Sequence, residues 1–559
     1  MLFPSLVRRQ HSSGRAVLLP VLLALACPAT GSIPRAGTNG ERGLDPILTY
    51  ISSGWGKLTR SLSRCDTVVD PKLSTASVLY LPARYPLPAP VDKLEKDCRV
   101  KVRRLPIVIE RPGQIDPEQI DPAGLLYLEN PYVVPGGRFN EMYGWDSYFI
   151  IRGLLRDGKI DLAQGMVENF FFEIEHYGTV LNANRTYYLT RSQPPFLTSM
   201  ILAVYDERTR AGRQDPAWLA KAYEYAANDY TAWTRDPHLA GATGLSRYYD
   251  FGNGPAPETL RDDPDYYRQV ARYFLKHPDV GRRYLVRGNP SEPSTWLLGA
   301  DYYKGDRAMR ESGFDISFRF GPYGAATHHY APVCLNSLLY KTEEDLARIS
   351  QMLGRNEDRA RWLQRAEDRK ERIQKYLWDR QRGLFFDYDF EKPVRSSYEY
   401  VTTFYPLWAG LATPEQARAV WKNLGRFEQP GGLVMSLHAT GVQWDYPYAW
   451  APIELLAVEG LRRYGFTTDA NRISQEFLSM VAGNFRCDGT IREKYNGATR
   501  SSDIQVTAGY KPNVVGFGWT NGVFLDLLHQ LPEESVHHLA QDPNALSCRL
   551  KPGSSARQN

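Results

Sequence analysis

The chain has 559 residues, 43% of them hydrophobic and 23% charged, with a formal net charge of +5. That length supports a substantial buried core, and the balance excludes both a disordered polymer and a bundle of membrane spans. Six cysteines without a CxxC pair or a Cys/His cluster exclude a zinc site of the usual spacing.

At the N-terminus Arg8, Arg9 and Arg15 flank the apolar run Ala16–Ala26, which ends in Ala24-Leu25-Ala26. Too short to span a bilayer, this run matches a cleaved secretory signal over residues 1–26 and predicts export to the periplasm or the exterior. Cleavage there would remove three Arg and no acid, which lowers the charge of +5 by three and leaves no nucleic-acid footprint. Cys27, just after the site, raises lipid anchoring as an alternative. Residues 27–45, with GSIPRAGTNGERG, read as a linker, and residues 536–559 as a frayed tail. Export would permit disulfides, and Cys65 with Cys98 is the best-placed pair by separation, though sequence leaves the pairing open.

Between linker and tail, residues 46–535 carry no low-complexity break and read as one domain. Thr342 with Asp345 resembles a helix start, followed by Leu346, Ile349 and Leu353 on one face. Further helical patterns occupy Trp362–Leu377 and Ile473–Met480. Thr413-Pro414-Glu415-Gln416 combines a cap, a proline at the first helical position and Gln at the third. Pro452 opens an apolar stretch through Leu455, Leu456 and Leu461 that stops near Gly465. Only brief strand-like pieces appear, such as Leu384–Phe390. Many medium helices joined by aromatic-rich loops suggest helix pairs around a centre, with the loops forming a site. The chain holds 35 Tyr, 22 Phe and 12 Trp. Such rings suit a Tyr-rich core, and their flat faces with polar tips also suit sugar stacking.

The densest segment is Pro135-Gly136-Gly137-Arg138-Phe139-Asn140-Glu141-Met142-Tyr143-Gly144-Trp145-Asp146-Ser147-Tyr148. Paired glycines permit a sharp turn, Arg138 donates, Asp146 accepts and Trp145 offers a stacking face. A structural ion pair in a turn reads equally well. A second dense run is Gln443-Trp444-Asp445-Tyr446-Pro447-Tyr448-Ala449-Trp450-Ala451-Pro452. Taken together these runs resemble the two signatures of the α,α-trehalases, glycoside hydrolase family 37. Shorter matches keep the family's order: Asn182 to Pro195, Glu311-Ser312-Gly313-Phe314-Asp315, Glu493-Lys494-Tyr495, and Gly516 to Gly522. The resemblance spans about Thr67 to Leu531.

The resemblance implies an all-α (α/α)6 toroid with short β-hairpin insertions and a central pocket. It implies hydrolysis of trehalose to two glucoses with inversion, without metal or cofactor; the small sugar is the expected partner, and a monomer is expected although the sequence leaves the oligomeric state open. Inversion needs a protonated carboxyl for the glycosidic oxygen and an ionised one to activate water. By motif position Asp315 resembles the acid and Glu493 the base, while Arg138, Trp145, Asp146, Asn182, Arg191, Ser192, Gln193, Glu258 and Gly313 fall where the family holds sugar hydroxyls. Three positions depart from the pattern. Ala256 stands where Pro-Arg-Pro-Glu would place an Arg, Tyr510 replaces a Glu, and Cys334 replaces an Asp. The first two leave another small α-glucoside as an alternative substrate, and a non-catalytic sugar-binding protein is the alternative from another class.

Overall fold

The structure is a computed structural model that describes residues 42–70, 76–288, 296–508 and 511–541. Among these residues twelve helices make the frame: α1 (Asp45–Leu58), α2 (Gly144–Arg156), α3 (Ile160–Tyr177), α4 (Leu197–Arg210), α5 (Pro216–Trp233), α6 (Val333–Met352), α7 (Asn356–Tyr376), α8 (Tyr405–Ala409), α9 (Pro414–Lys422), α10 (Ala451–Arg463), α11 (Thr467–Asp488) and α12 (Gly518–Gln530). Helices α2, α4, α6, α8, α10 and α12 each pack on the next, and α12 returns to α2. That closed inner ring, with odd-numbered helices outside it, is the expected (α/α)6 toroid.

Burial explains which helices face inward. All five residues of α8 are buried, as is every residue of α10 from Ala451 to Val458. By contrast α7 buries only Trp362, Ala366, Arg369 and Ile373, a stripe at helical spacing that seats one face and leaves the rest to water. The ring closes where α2 meets α12 through glycines. A Cβ on Gly153 would lie 2.3 Å from the Gly522 Cα, and one on Gly522 would lie 2.1 Å from the Phe149 carbonyl oxygen. Any larger residue would push these helices apart.

Several local expectations hold. Thr413 accepts from the Gln416 amide at 3.2 Å while the Gln416 side chain accepts from the Thr413 amide at 2.9 Å, a complete capping box. Pro452 lies in the first turn of α10, and Gly465 beyond its end has φ +83°. Cys65 and Cys98 form a disulfide with their Cα atoms 5.6 Å apart.

Others are corrected. Thr342 starts nothing: α6 runs unbroken through it, and its hydroxyl donates to the Leu338 carbonyl at 3.0 Å, satisfied inside the helix. Leu384–Phe390 is two strands, Leu384–Phe385 and Tyr388–Asp389, that pair with different partners. Besides hairpins there is a three-stranded parallel sheet, Ser77–Leu81 between Val100–Arg104 and Leu125–Leu126. The tail contains a helix, Glu533–Gln541, because Val536 and Leu539 share a face and are buried in the core. The proposed signal, Cys27 and most of the linker lie outside the described residues.

The N-terminal ends of α2, α10 and α12 meet at one end of the ring. Asp146 lies in the first turn of α2, Trp450 caps α10 and Phe517 caps α12. Loops entering those ends build the site.

Candidate active site

A cavity of about 510 Å³ opens at that end. Its wall includes Arg138, Trp145, Asp146, Asn182, Arg191, Gln193, Glu258, Gly313, Asp315 and Glu493, so ten of the eleven sequence-derived site residues meet there. Ser192 is the exception. Its amide donates to Glu311 at 3.2 Å and its hydroxyl to the Val180 carbonyl, so it braces the wall without facing the cavity.

The aromatic floor explains why Gly313 must be glycine. It has φ +76°, and a Cβ there would lie 2.9 Å from the Trp145 ring. Trp145 packs against Phe314, Trp444 and Trp519, and Trp444 stacks on Trp450 at 3.8 Å. The Gln193 side chain accepts from the Trp145 amide at 3.0 Å, which ties the first signature to the Asn182–Pro195 segment.

The polar wall is a charge network. Arg191 donates to Asn182 at 3.1 Å, pairs with Glu258 and lies 3.6 Å from Asp250. Burial opposes the Glu258 charge, but Arg191 and Arg310 overcome it and hold this carboxyl near 2. Arg138 lies 3.6 Å from Asp262 at the cavity wall. Arg310, absent from the sequence reading, also lines the cavity. Its Nε and Nη2 bond both oxygens of buried Asp306 at 3.0 and 3.1 Å, and its Nη1 lies 3.7 Å from Asp315 Oδ2. It stands one position before the Glu311–Asp315 match, and that adjacency was its only sequence signal.

Besides Glu258, Asp262 and Asp263, three carboxyls on the cavity wall are raised by burial: Asp315, Glu493 and Asp146. Burial pushes Asp315 up to about 7, against the pull of Arg310 and Arg191. Its side chain keeps 36% exposure while lining the cavity, so it is reachable by a ligand yet poorly hydrated. Burial also raises Glu493, opposed first by Lys494, whose Nζ is 3.2 Å from Glu493 Oε2. Asp146 is raised well above its usual range by burial and by the neighbouring Glu493 and Asp315 charges.

The departures from the family pattern fall differently. Ala256 is completely buried, its amide donates to the Tyr267 hydroxyl at 2.7 Å, and it is not part of the cavity wall. Cys334 is also buried away from the cavity, where its sulfur accepts from Arg319 at 3.4 Å. Tyr510 lies outside the described residues, though Lys511 and Pro512 beside it line the cavity.

Among the described residues, one group has metal-ligating spacing, Asp301 with His328 and His329, and none of the three lines the cavity. It is internally paired: His328 Nε2 lies 3.0 Å from Asp301, and Arg283 donates to the other carboxylate oxygen at 2.8 Å.

Comparison with known proteins agrees with this geometry. The trehalase family model matches residues 98–532. A probable trehalase of Eremothecium gossypii is 38% identical over 84% of this chain and 70% of its own length. A cytosolic neutral trehalase of Saccharomyces cerevisiae is 42% identical over 71% of this chain and 56% of its own length. A solved structure of neutral trehalase Nth1 from Saccharomyces cerevisiae superposes with a TM-score of 0.74 at 35% identity, covering 89% of this chain and 96% of that one.

These relatives overturn the export expectation. Several are named cytosolic, among them those of Saccharomyces cerevisiae and Emericella nidulans, so a signal peptide and a periplasmic or secreted location are not retained. A short apolar run behind three arginines is a low-information pattern, and it lies outside the described residues. No helix among the described residues is long and apolar enough to cross a membrane. With a family model over most of its length and such relatives beside it, the chain belongs to the trehalase family.

Proposed function

We propose that this chain hydrolyses α,α-trehalose to two glucose molecules by direct attack of water, with Asp315 as general acid and Glu493 as general base. The observation that carries this reading is the pair itself. Asp315 and Glu493 face one cavity whose wall also carries Arg138, Asn182, Arg191, Gln193 and Glu258, and burial pushes Asp315 up to about 7. A protonated Asp315 can donate to the glycosidic oxygen as the bond breaks. An ionised Glu493, with Lys494 beside it, can take a proton from water attacking the opposite face.

Arg138, Asn182, Arg191, Gln193 and Glu258 supply fixed donors and acceptors for sugar hydroxyls, and the Trp145–Trp444–Trp519 floor supplies apolar faces. Arg310 adds a guanidinium beside Asp315, which favours trehalose over an altered substrate because the cavity does not lack the donor that Ala256 removes. Residues from Pro135 to Trp519 line the one cavity, which supports reading residues 46–535 as a single catalytic unit.

The test is early-time proton NMR of purified protein with trehalose. One α-glucose and one β-glucose per turnover are expected before mutarotation. Release of α-glucose alone would show a double displacement, and no glucose at all would refute the reading.

A further inference from the structure

Behind the cavity wall, next to Glu493, Lys494 is a buried charge that the acid–base scheme leaves unexplained. It is completely buried, and removing an ammonium from water is costly unless a specific partner requires it there. Its contacts are directional. The Nζ lies 3.2 Å from Glu493 Oε2, donates to the Pro512 carbonyl at 3.1 Å and sits 5.2 Å from the Trp450 ring centroid. The backbone around it is fixed as well, since the Lys494 amide donates to the Asn513 side chain at 3.2 Å, which donates back to the Lys494 carbonyl at 3.0 Å. Glu493 is tied to the same loop, because its amide donates to the Val514 carbonyl at 3.0 Å.

We propose that Lys494 is a positioning residue for Glu493: it fixes the carboxylate with a buried positive charge and ties it to the backbone of the cavity-lining loop at Pro512. The proposal rests on Glu493 being the base. Three physical consequences follow from the geometry. With Oε2 engaged by the ammonium, Oε1 is the oxygen left to accept from water, so one lone-pair set is aimed and the other is anchored. The ammonium opposes the tendency of burial to protonate Glu493, with Arg138 acting in the same sense and Asp146 also facing Glu493; burial disfavours the Lys494 charge in turn, and Glu493 and Asp315 oppose that. The Trp450 face beside the cation helps hold a charge that has little water around it.

The test compares Lys494→Met, Lys494→Gln and Lys494→Arg in the full chain, with Glu493→Gln as the control for the base. Folding is checked by circular dichroism melting, and kcat and KM for trehalose are followed against pH. Loss of the charge is expected to move the acidic limb of the rate profile upward by about one pH unit or more, the range for removing an opposite charge at this separation. The rate well below the limb then falls by about tenfold per unit, with KM nearly unchanged. Lys494→Gln keeps a donor for Pro512 but loses the charge, so it should show the same shift, and it decides the matter where the Met variant fails to fold. Lys494→Arg should keep the limb near its wild-type position. Folded Met or Gln variants whose acidic limb coincides with wild type would overturn the proposal. An active Glu493→Gln enzyme would instead refute the assignment of the base itself.

Discussion

The two walls of the cavity that carry the proposed acid and base bury similar groups and treat them differently. On the Asp315 side the nearest cation, Arg310, is 3.7 Å away and is committed through Nε and Nη2 to Asp306, so burial prevails and the carboxyl rises to about 7. On the Glu493 side an ammonium lies within 3.2 Å and hydrogen-bonds the carboxylate directly. A short direct contact to an ammonium stabilises an anion more than a longer contact to a guanidinium already paired with another carboxylate. The contrast teaches that two desolvated carboxyls are set apart by how close a cation lies and what else it is holding, which is the difference the proposed acid and base roles require.

The most severe way to break this comparison is to remove either carboxyl. Asp315→Asn and Glu493→Gln are each expected to lower kcat on trehalose by on the order of 10² to 10⁴ while the circular dichroism spectrum is unchanged. Near-normal turnover in either folded variant would remove that residue from its proposed role.

A smaller effect is expected from the cation of the acid wall. Arg310→Met should lower kcat/KM by roughly five- to 150-fold, the equivalent of about 1–3 kcal/mol for a lost bond to a buried partner. Ala256→Arg should give no gain in the wild-type enzyme, because the position is completely buried and a long cation there overpacks the core. Steady-state kinetics on trehalose check both, and a faster Ala256→Arg enzyme would show that a donor is missing from the cavity after all.

The subtlest test concerns the protonation of Asp315. Activity should fall as pH rises through about 7, since the acid must hold its proton. Stability has the same sign. The folded pKa lies above the ordinary Asp value near 3.9, so the native state binds the extra proton and stability is lost as pH rises toward and through about 7. Asp315→Asn removes that loss, and its Tm relative to wild type should increase between pH 5 and pH 8. A Tm difference independent of pH would show that Asp315 is not held protonated.

The Thr413 capping box and the Pro452 start of α10 were legible because each depends on residues within one turn. The helical pattern over Trp362–Leu377 was legible from spacing, although α7 begins earlier, at Asn356. Thr342 misled because a hydroxyl that caps a helix can equally bond back to the preceding turn, and only the helix around it settles which. The tail misled because Val536 and Leu539 look like isolated apolar residues until the core they enter exists.

The site divides along the same line. Long motifs in family order picked out Asp315, Glu493 and eight further residues that line one cavity, because a site that handles hydroxyls and protons demands particular residue types at particular places along the chain. Sequence placed Ser192 in that wall, yet its hydroxyl donates to the Val180 carbonyl instead. It treated Ala256 as a gap in the pocket and passed over Arg310, although the two are joined through Tyr267 and Asp306. Residue identity along the chain decided which chemical groups this protein has to work with. Their exposure, their partners and therefore their charge were decided only when the ring of helices brought residues some 180 positions apart, Asp315 and Glu493, to one cavity, because desolvation and ion pairing depend on neighbours in space.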